Sequence, residues 1–208
     1  MVNYVKNFPK NIKVTEEDYC GVHPSLSVFT PVFTKKNRGY SLQLFGGSYK
    51  SSKHNHSVEN RILDLKRTGR GGKNIYILIE VVLNRYSHGV AFVNGAYYGY
   101  FLVGYDDGSA FVTRLPNKNF NTVDGALEWM KPAVVKKAEE KGKEIYRQGD
   151  VFFVEAPKRT SIFDKKHLLP HSHILHDDLT VTHGEHNILQ LPHEHFTVAI
   201  RKALADND

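Results

Sequence analysis

The chain has 208 residues, 40% of them hydrophobic and 24% charged, one cysteine and a formal charge of +6. That length buries a sufficient core without cross-links, and Cys20 alone excludes an internal disulfide and a thiolate zinc finger. The charge is uneven, with 21 Lys and Arg against 13 Asp and Glu in residues 1–144, then 7 against 9 in residues 145–208. Residues 1–20 lack the apolar segment of a signal peptide. The longest apolar run, Ile75–Leu83, is broken by Glu80 and is too short to span a bilayer. The expectation is a cytoplasmic protein with no membrane partner.

The opening to about Cys20 is polar and reads as loosely attached. Ser27–Thr34 and Tyr40–Phe45 read as strands, the second ended by Gly46-Gly47. Ser57–Leu65 reads as a short helix, with Ser57 as N-cap and Val58, Ile62 and Leu65 on one face. Lys66–Lys73 is a basic, glycine-rich loop. Asn74–Asn84 is the strongest strand signal. His88–Val93, Ala96–Val103 and Ser109–Leu115 follow, separated by the turn signals Asn94-Gly95 and Asp107-Gly108. Val123–Lys141 is helical, with Thr122 as N-cap, a break at Pro132 and Gly142 as C′. Ala133, Val134 and Ala138 are expected inward. Short strands follow at Asp150–Glu155, Leu179–Thr182, Ile188–Leu191 and Phe196–Ile200. The sum predicts a β-rich α+β fold, mostly antiparallel, in two strand blocks separated by a short helical hairpin. Residues 1–120 form the basic region and 121–208 the histidine-rich one, in one domain or two.

Eight of the twelve histidines fall between His167 and His195. His171 and His173 are i, i+2, as are His193 and His195, a spacing that puts both rings of a pair on one face of a strand. His183-Gly184-Glu185-His186 places two imidazoles and a carboxylate within four residues. Imidazole with carboxylate suits Zn²⁺, Fe²⁺, Mn²⁺ or Ni²⁺, with Zn²⁺, Mn²⁺ or Ni²⁺ as the candidates. The natural ligand set is His171, His173, His183 and His186, with Glu185 as a base and His171 and His183 as catalytic candidates. The bland alternative is a pH-sensitive histidine surface. The zincin H-E-x-x-H is not matched, and a cupin-like H-x-H with a later Glu is nearer. A metal-free pair of histidines, one neutral and one protonated, would also cleave RNA by acid–base catalysis.

Lys66, Arg67, Arg70 and Lys73 surround three glycines in eight residues. Glycine lets backbone amides approach a phosphate, and arginine offers a bidentate fork. The spacing is not that of a P-loop. The bland reading is a solvated hairpin loop. With the basic front, this loop points to nucleic acid as partner, RNA ahead of DNA.

Leu115-Pro116, Thr122-Val123-Asp124-Gly125-Ala126-Leu127, Pro132, Arg147-Gln148-Gly149-Asp150-Val151-Phe152-Phe153-Val154, His171 and His183-Gly184-Glu185-His186 form one run. It resembles a group of small bacterial and phage proteins with no established activity. The resemblance covers roughly residues 104–200 and implies only that these segments form one unit. Arg147, Gln148 and Asp150 either orient the histidines or make a turn. The sequence therefore predicts a histidine-cluster phosphodiesterase or nuclease, dependent on a divalent metal. The alternatives are a metal-independent acid–base ribonuclease, a nucleic-acid-binding protein with a structural metal, and a cupin-like metalloenzyme acting on a small molecule.

Overall fold

A computed structural model describes residues 8–18, 29–50, 54–87, 93–116, 118–164 and 169–202. The chain divides into two compact units. One comprises Met1–Asp106, Ala110–Ala126 and Ala203–Asp208; the other comprises Asp107–Ser109 and Leu127–Lys202. The fold is β-rich and mostly antiparallel, with two α-helices among the described residues. Among the described residues, no helix is long and apolar enough to cross a membrane.

The first unit is a seven-stranded sheet of β1 (Ile12–Asp18), β2 (Val32–Lys36), β3 (Gly39–Lys50), β4 (His54–Thr68), β5 (Asn74–Ser87), β6 (Val93–Asp106) and β7 (Ser109–Leu115). Residues 39–46 of β3 pair in parallel with β1 and antiparallel with β2, and its last four residues pair with β4. The strand does not stop at Gly46-Gly47 as expected. It turns a corner there, with Gly47 at φ +105°. A Cβ on Gly46 would stand 2.5 Å from Glu16 Oε1. The Phe45 carbonyl beside the corner accepts from the fully buried Asn60 carboxamide at 3.0 Å. Alternation along β5 sends Ile75, Ile77, Ile79, Val81 and Leu83 into one core with Leu42, Leu44, Phe101 and Val103. Tyr76, Leu78, Glu80 and Val82 are buried as well, which is why Ile75–Leu83 of β5 reads as a near-continuous apolar run with Glu80 as its one charged residue. Glu80 is satisfied by the Tyr100 hydroxyl at 2.8 Å and by Arg61 at 3.2 Å.

The helix expected at Ser57–Leu65 is instead part of β4. Val58 and Ile62 are an even number apart and share a face. The register then shifts between Ile62 and Asp64, so the bulged residue restores Leu65 to that face. All three pack in the same core, and their i, i+4, i+7 spacing imitates a helix. Asn94-Gly95 is likewise inside β6. It lies where the register slips between Asn84 and Tyr86 of the partner strand, so the pair makes a bulge rather than a turn. The expected turn at Asp107-Gly108 is present, with φ of +50° and +90°. The polar opening, expected to be loose, contributes β1. Apart from Val93, the strand expected at His88–Val93 lies outside the described residues.

The helices are α1 (Val123–Met130) and α2 (Ala133–Glu140), broken at Pro132 as expected. Thr122 Oγ1 accepts from Gly125 N at 3.1 Å, and Asp64 Oδ2, beside the β4 bulge, accepts from Val123 N at 2.7 Å. Lys131 bridges the break, reaching Glu139 at 2.8 Å and Glu128 at 3.2 Å. Gly142, at φ +64°, closes α2 with amide bonds from residues 142 and 143 to Glu139 and Ala138. The buried face of α2 is Val135 and Ala138; Val134 is 46% exposed, and Ala133 is exposed too, against expectation.

In the second unit, β9 (Val151–Glu155) lies between β8 (Ile145–Gln148) and β13 (Phe196–Ile200). A second small sheet holds β10 (Ile174–Leu175), β11 (Thr180–Thr182) and β12 (Leu189–Gln190). Alternation again explains the DVFFVE run. Phe152 and Val154 pack on Val135 and Ala138 of α2, while Val151 and Phe153 pack with Val181, Leu191 and Phe196.

Replacing Asp64 with Ala removes the distant cap on α1 and is expected to cost about 1 kcal/mol. Urea unfolding should show a lower midpoint with an unchanged slope, and Asp64→Asn, which keeps an acceptor, should lose less.

Candidate histidine site

The site is organised by the tight turn between β8 and β9. Gly149 adopts φ +58°, and its amide donates to Asp107 Oδ2 at 2.9 Å. Arg147 Nη1 donates to the Gly149 carbonyl at 3.1 Å. Gln148 is fully buried, and its amide nitrogen donates to the backbone carbonyls of Val181, at 3.0 Å, and Asn187. These carbonyls flank the segment carrying His183 and His186. Asp150 Oδ2 pairs with His171 Nδ1. The Arg147–Asp150 run thus both makes a turn and orients histidines.

Three imidazoles gather here. The ring centroids of His173 and His183 are 4.5 Å apart, those of His183 and His186 4.7 Å, and those of His173 and His186 5.7 Å. A linear stack would put the outer pair at about twice the nearest spacing, ~9 Å. The third side is shorter than that, so the three centroids form a compact triangle. The rings tilt by only 24–27° from one another. An imidazole bound through Nε2 puts its centroid ~3.2 Å from a zinc-sized cation, so three such rings stand ~5 Å apart. The triangle has that size.

Their hydrogen bonds assign the ring nitrogens. His173 is fully buried, and its Nδ1 donates to the Pro170 carbonyl at 2.9 Å. Its Nε2 is therefore a bare lone pair, with no hydrogen-bond partner among the described residues. His186 Nδ1 faces the Asp107 carbonyl at 3.4 Å, and the face of its ring lies against Gly149, where a Cβ would sit 2.1 Å from Nε2 and 2.6–2.7 Å from the two neighbouring ring carbons. His183 differs: its Nδ1 accepts from Glu185 N at 3.1 Å, so its proton sits on Nε2. Backbone carbonyls on Nδ1 are the usual partners of metal-ligating histidines. As the side chains are placed, no group of three or more His, Cys, Asp or Glu among the described residues is set to hold a metal ion.

Of the four ligand candidates, the structure brings together His173, His183 and His186. His171 is turned to Asp150 and is half exposed, on a backbone where both His171 (φ +56°) and Ser172 (φ +62°) are left-handed. Glu185 is exposed. His176 donates to or accepts from Thr182 Oγ1 at 2.8 Å. His193 lies flat on Phe196, 4.5 Å between centroids, and His195 Nδ1 donates to the Thr160 carbonyl at 3.0 Å. His167 lies outside the described residues.

The basic loop joins β4 to β5 through a one-turn 3-10 segment, Arg70–Gly72, with Gly69, Gly71 and Gly72 all at positive φ. Lys66 pairs with Asp124, and Arg67 Nη2 donates to Asn11 Oδ1 at 2.5 Å. Arg70 and Lys73 are exposed. Two of the four cations thus hold the first unit's own structure.

Asp107, Gly149 and Pro170 are the positioning residues that sequence reasoning missed. The Asp-Gly turn signal and the Arg-Gln-Gly-Asp run marked the first two as turns, but nothing local says that a turn faces an imidazole. Gly149→Ala is expected to displace the His186 ring and to cost about 1 kcal/mol or more from the positive φ alone. Imidazole NMR signals of His186 should move while those of His193 stay. No known protein family matches this chain, and neither the curated proteins nor the solved structures compared with it gave a match.

Proposed function

We propose that the second unit is a metallohydrolase acting on phosphodiesters, with a divalent cation held by His173, His183 and His186. The observation that carries this reading is the triangle of three rings with the buried, unpartnered Nε2 of His173 on it. His183 joins the set by moving its proton from Nε2 to Nδ1. That releases only an amide on an exposed loop, which water satisfies. Zn²⁺, Mn²⁺ or Ni²⁺ suits an imidazole set. A cation held there would lower the pKa of a bound water and polarise a phosphoryl oxygen. Glu185, in the same four-residue segment, is the proposed base for that water. The nucleic-acid substrate, RNA ahead of DNA, is proposed from the basic balance of residues 1–144, with Arg70 and Lys73 as the phosphate-facing pair and Lys66 and Arg67 supporting them.

The ring of His183, protonated on Nε2, lies 4.5 Å between centroids from that of His173, whose Nε2 is bare, and this pair favours a second reading. One donor and one acceptor in a closed cluster are the parts of metal-free acid–base cleavage.

Protein purified without a histidine tag is expected to carry about one equivalent of metal and to hydrolyse a phosphodiester or RNA. Chelation should stop turnover, and His183→Ala or His186→Ala should weaken metal binding by about tenfold or more. Full activity on RNA with no metal selects the second reading, and no hydrolysis in either state ends both. Separately, Arg70→Ala and Lys73→Ala should each weaken RNA binding and lower its salt slope by about one. Unchanged slopes would remove this loop from the proposal.

A further inference from the structure

We infer that Gln148 supplies an oxygen ligand to the same cation, completing a site of three nitrogens and one oxygen. The inference rests on the metal reading above and adds a residue to it. Gln148 is fully buried, and the orientation of its carboxamide is fixed. The amide nitrogen donates to the Val181 and Asn187 carbonyls, so a flipped amide would set oxygen against two oxygens. Its Oε1 therefore points away from both, and it has no hydrogen-bond partner among the described residues. His173 Nε2 is in the same condition.

Among the described residues of the second unit, the buried side-chain acceptors left without donors are Gln148 Oε1 and His173 Nε2. Asn187 follows His186 directly, and Gly149, the residue after Gln148, lies against His186 Nε2. The carboxamide is held against the segment that carries two of the three rings. A buried acceptor left unpaired is costly, whereas a cation satisfies an amide oxygen and an imidazole lone pair together. An amide oxygen is a neutral, hard donor, which directs a three-imidazole set toward Zn²⁺, Mn²⁺ or Ni²⁺ and away from Cu(I).

The test uses the full chain and Zn²⁺ titrated by calorimetry against Gln148→Glu and Gln148→Met. Both variants lose the bonds to Val181 and Asn187, and only the Glu variant keeps an oxygen at the ligand position. The expected result is that Met lowers Zn²⁺ affinity by about tenfold or more while Glu binds as well as the parent or better. Equal losses in the two variants would make Gln148 a clamp on the histidine segment and overturn the inference. A parent chain that binds no Zn²⁺ would instead overturn the metal reading itself. Should a variant fail to fold, the unaltered protein loaded with Co²⁺ gives a second measurement. The side-chain carboxamide resonances of Gln148 should show a contact shift, and unmoved resonances would equally overturn the inference.

Discussion

The buried carboxamide of Gln148 donates to two main-chain carbonyls that belong to different parts of the chain, one on β11 and one just after His186. A loop with so little regular structure cannot order itself, because each ordered residue loses roughly 1–2 kcal/mol of backbone entropy. The side chain replaces a sheet ladder here. It ties the β8–β9 turn to the segment of His183 and His186. The next residue, Gly149, brings its backbone within contact of the His186 ring. Asp107 completes the frame by accepting from Gly149 N with its carboxylate and from Asn187 N with its carbonyl. These pinned backbone groups place the segment of His183 and His186, and the Pro170 carbonyl holds the ring of His173.

Much of the fold is legible in the residues. The strand at Asn74, the helices on either side of Pro132, the Gly142 stop and the Asp107-Gly108 turn all follow from local rules. Two of the departures share one cause. A β-bulge shifts the parity of a strand, so β4 acquires helical spacing at Val58, Ile62 and Leu65, and Asn94-Gly95 looks like a turn. The bulges answer to neighbouring strands, and a single strand read alone does not contain them. The inward face of α2 falls on Val135 rather than Val134, two residues that composition does not distinguish.

The site divides in the same way. The crowding of histidines is visible in the chain, and so is the four-residue His-Gly-Glu-His segment. Which rings meet is not. His171 and His173 are two apart, but the left-handed backbone at His171 and Ser172 breaks the strand geometry that would have put both on one face. One ring enters the cluster and the other turns to Asp150. The cations of Lys66–Lys73 were legible as a group. The diversion of Lys66 to Asp124 and of Arg67 to Asn11 depends on partners more than fifty residues away.

That pair of left-handed residues has a further consequence. Neither is glycine, so each holds a conformation that a free peptide of the same sequence rarely visits. The arm must therefore be gripped from both ends, by the Pro170 carbonyl on His173 and by Asp150 on His171. Such an arm behaves like a cocked spring. Slackening either grip lets the backbone relax to ordinary angles, and that relaxation would swing two neighbouring imidazoles at once.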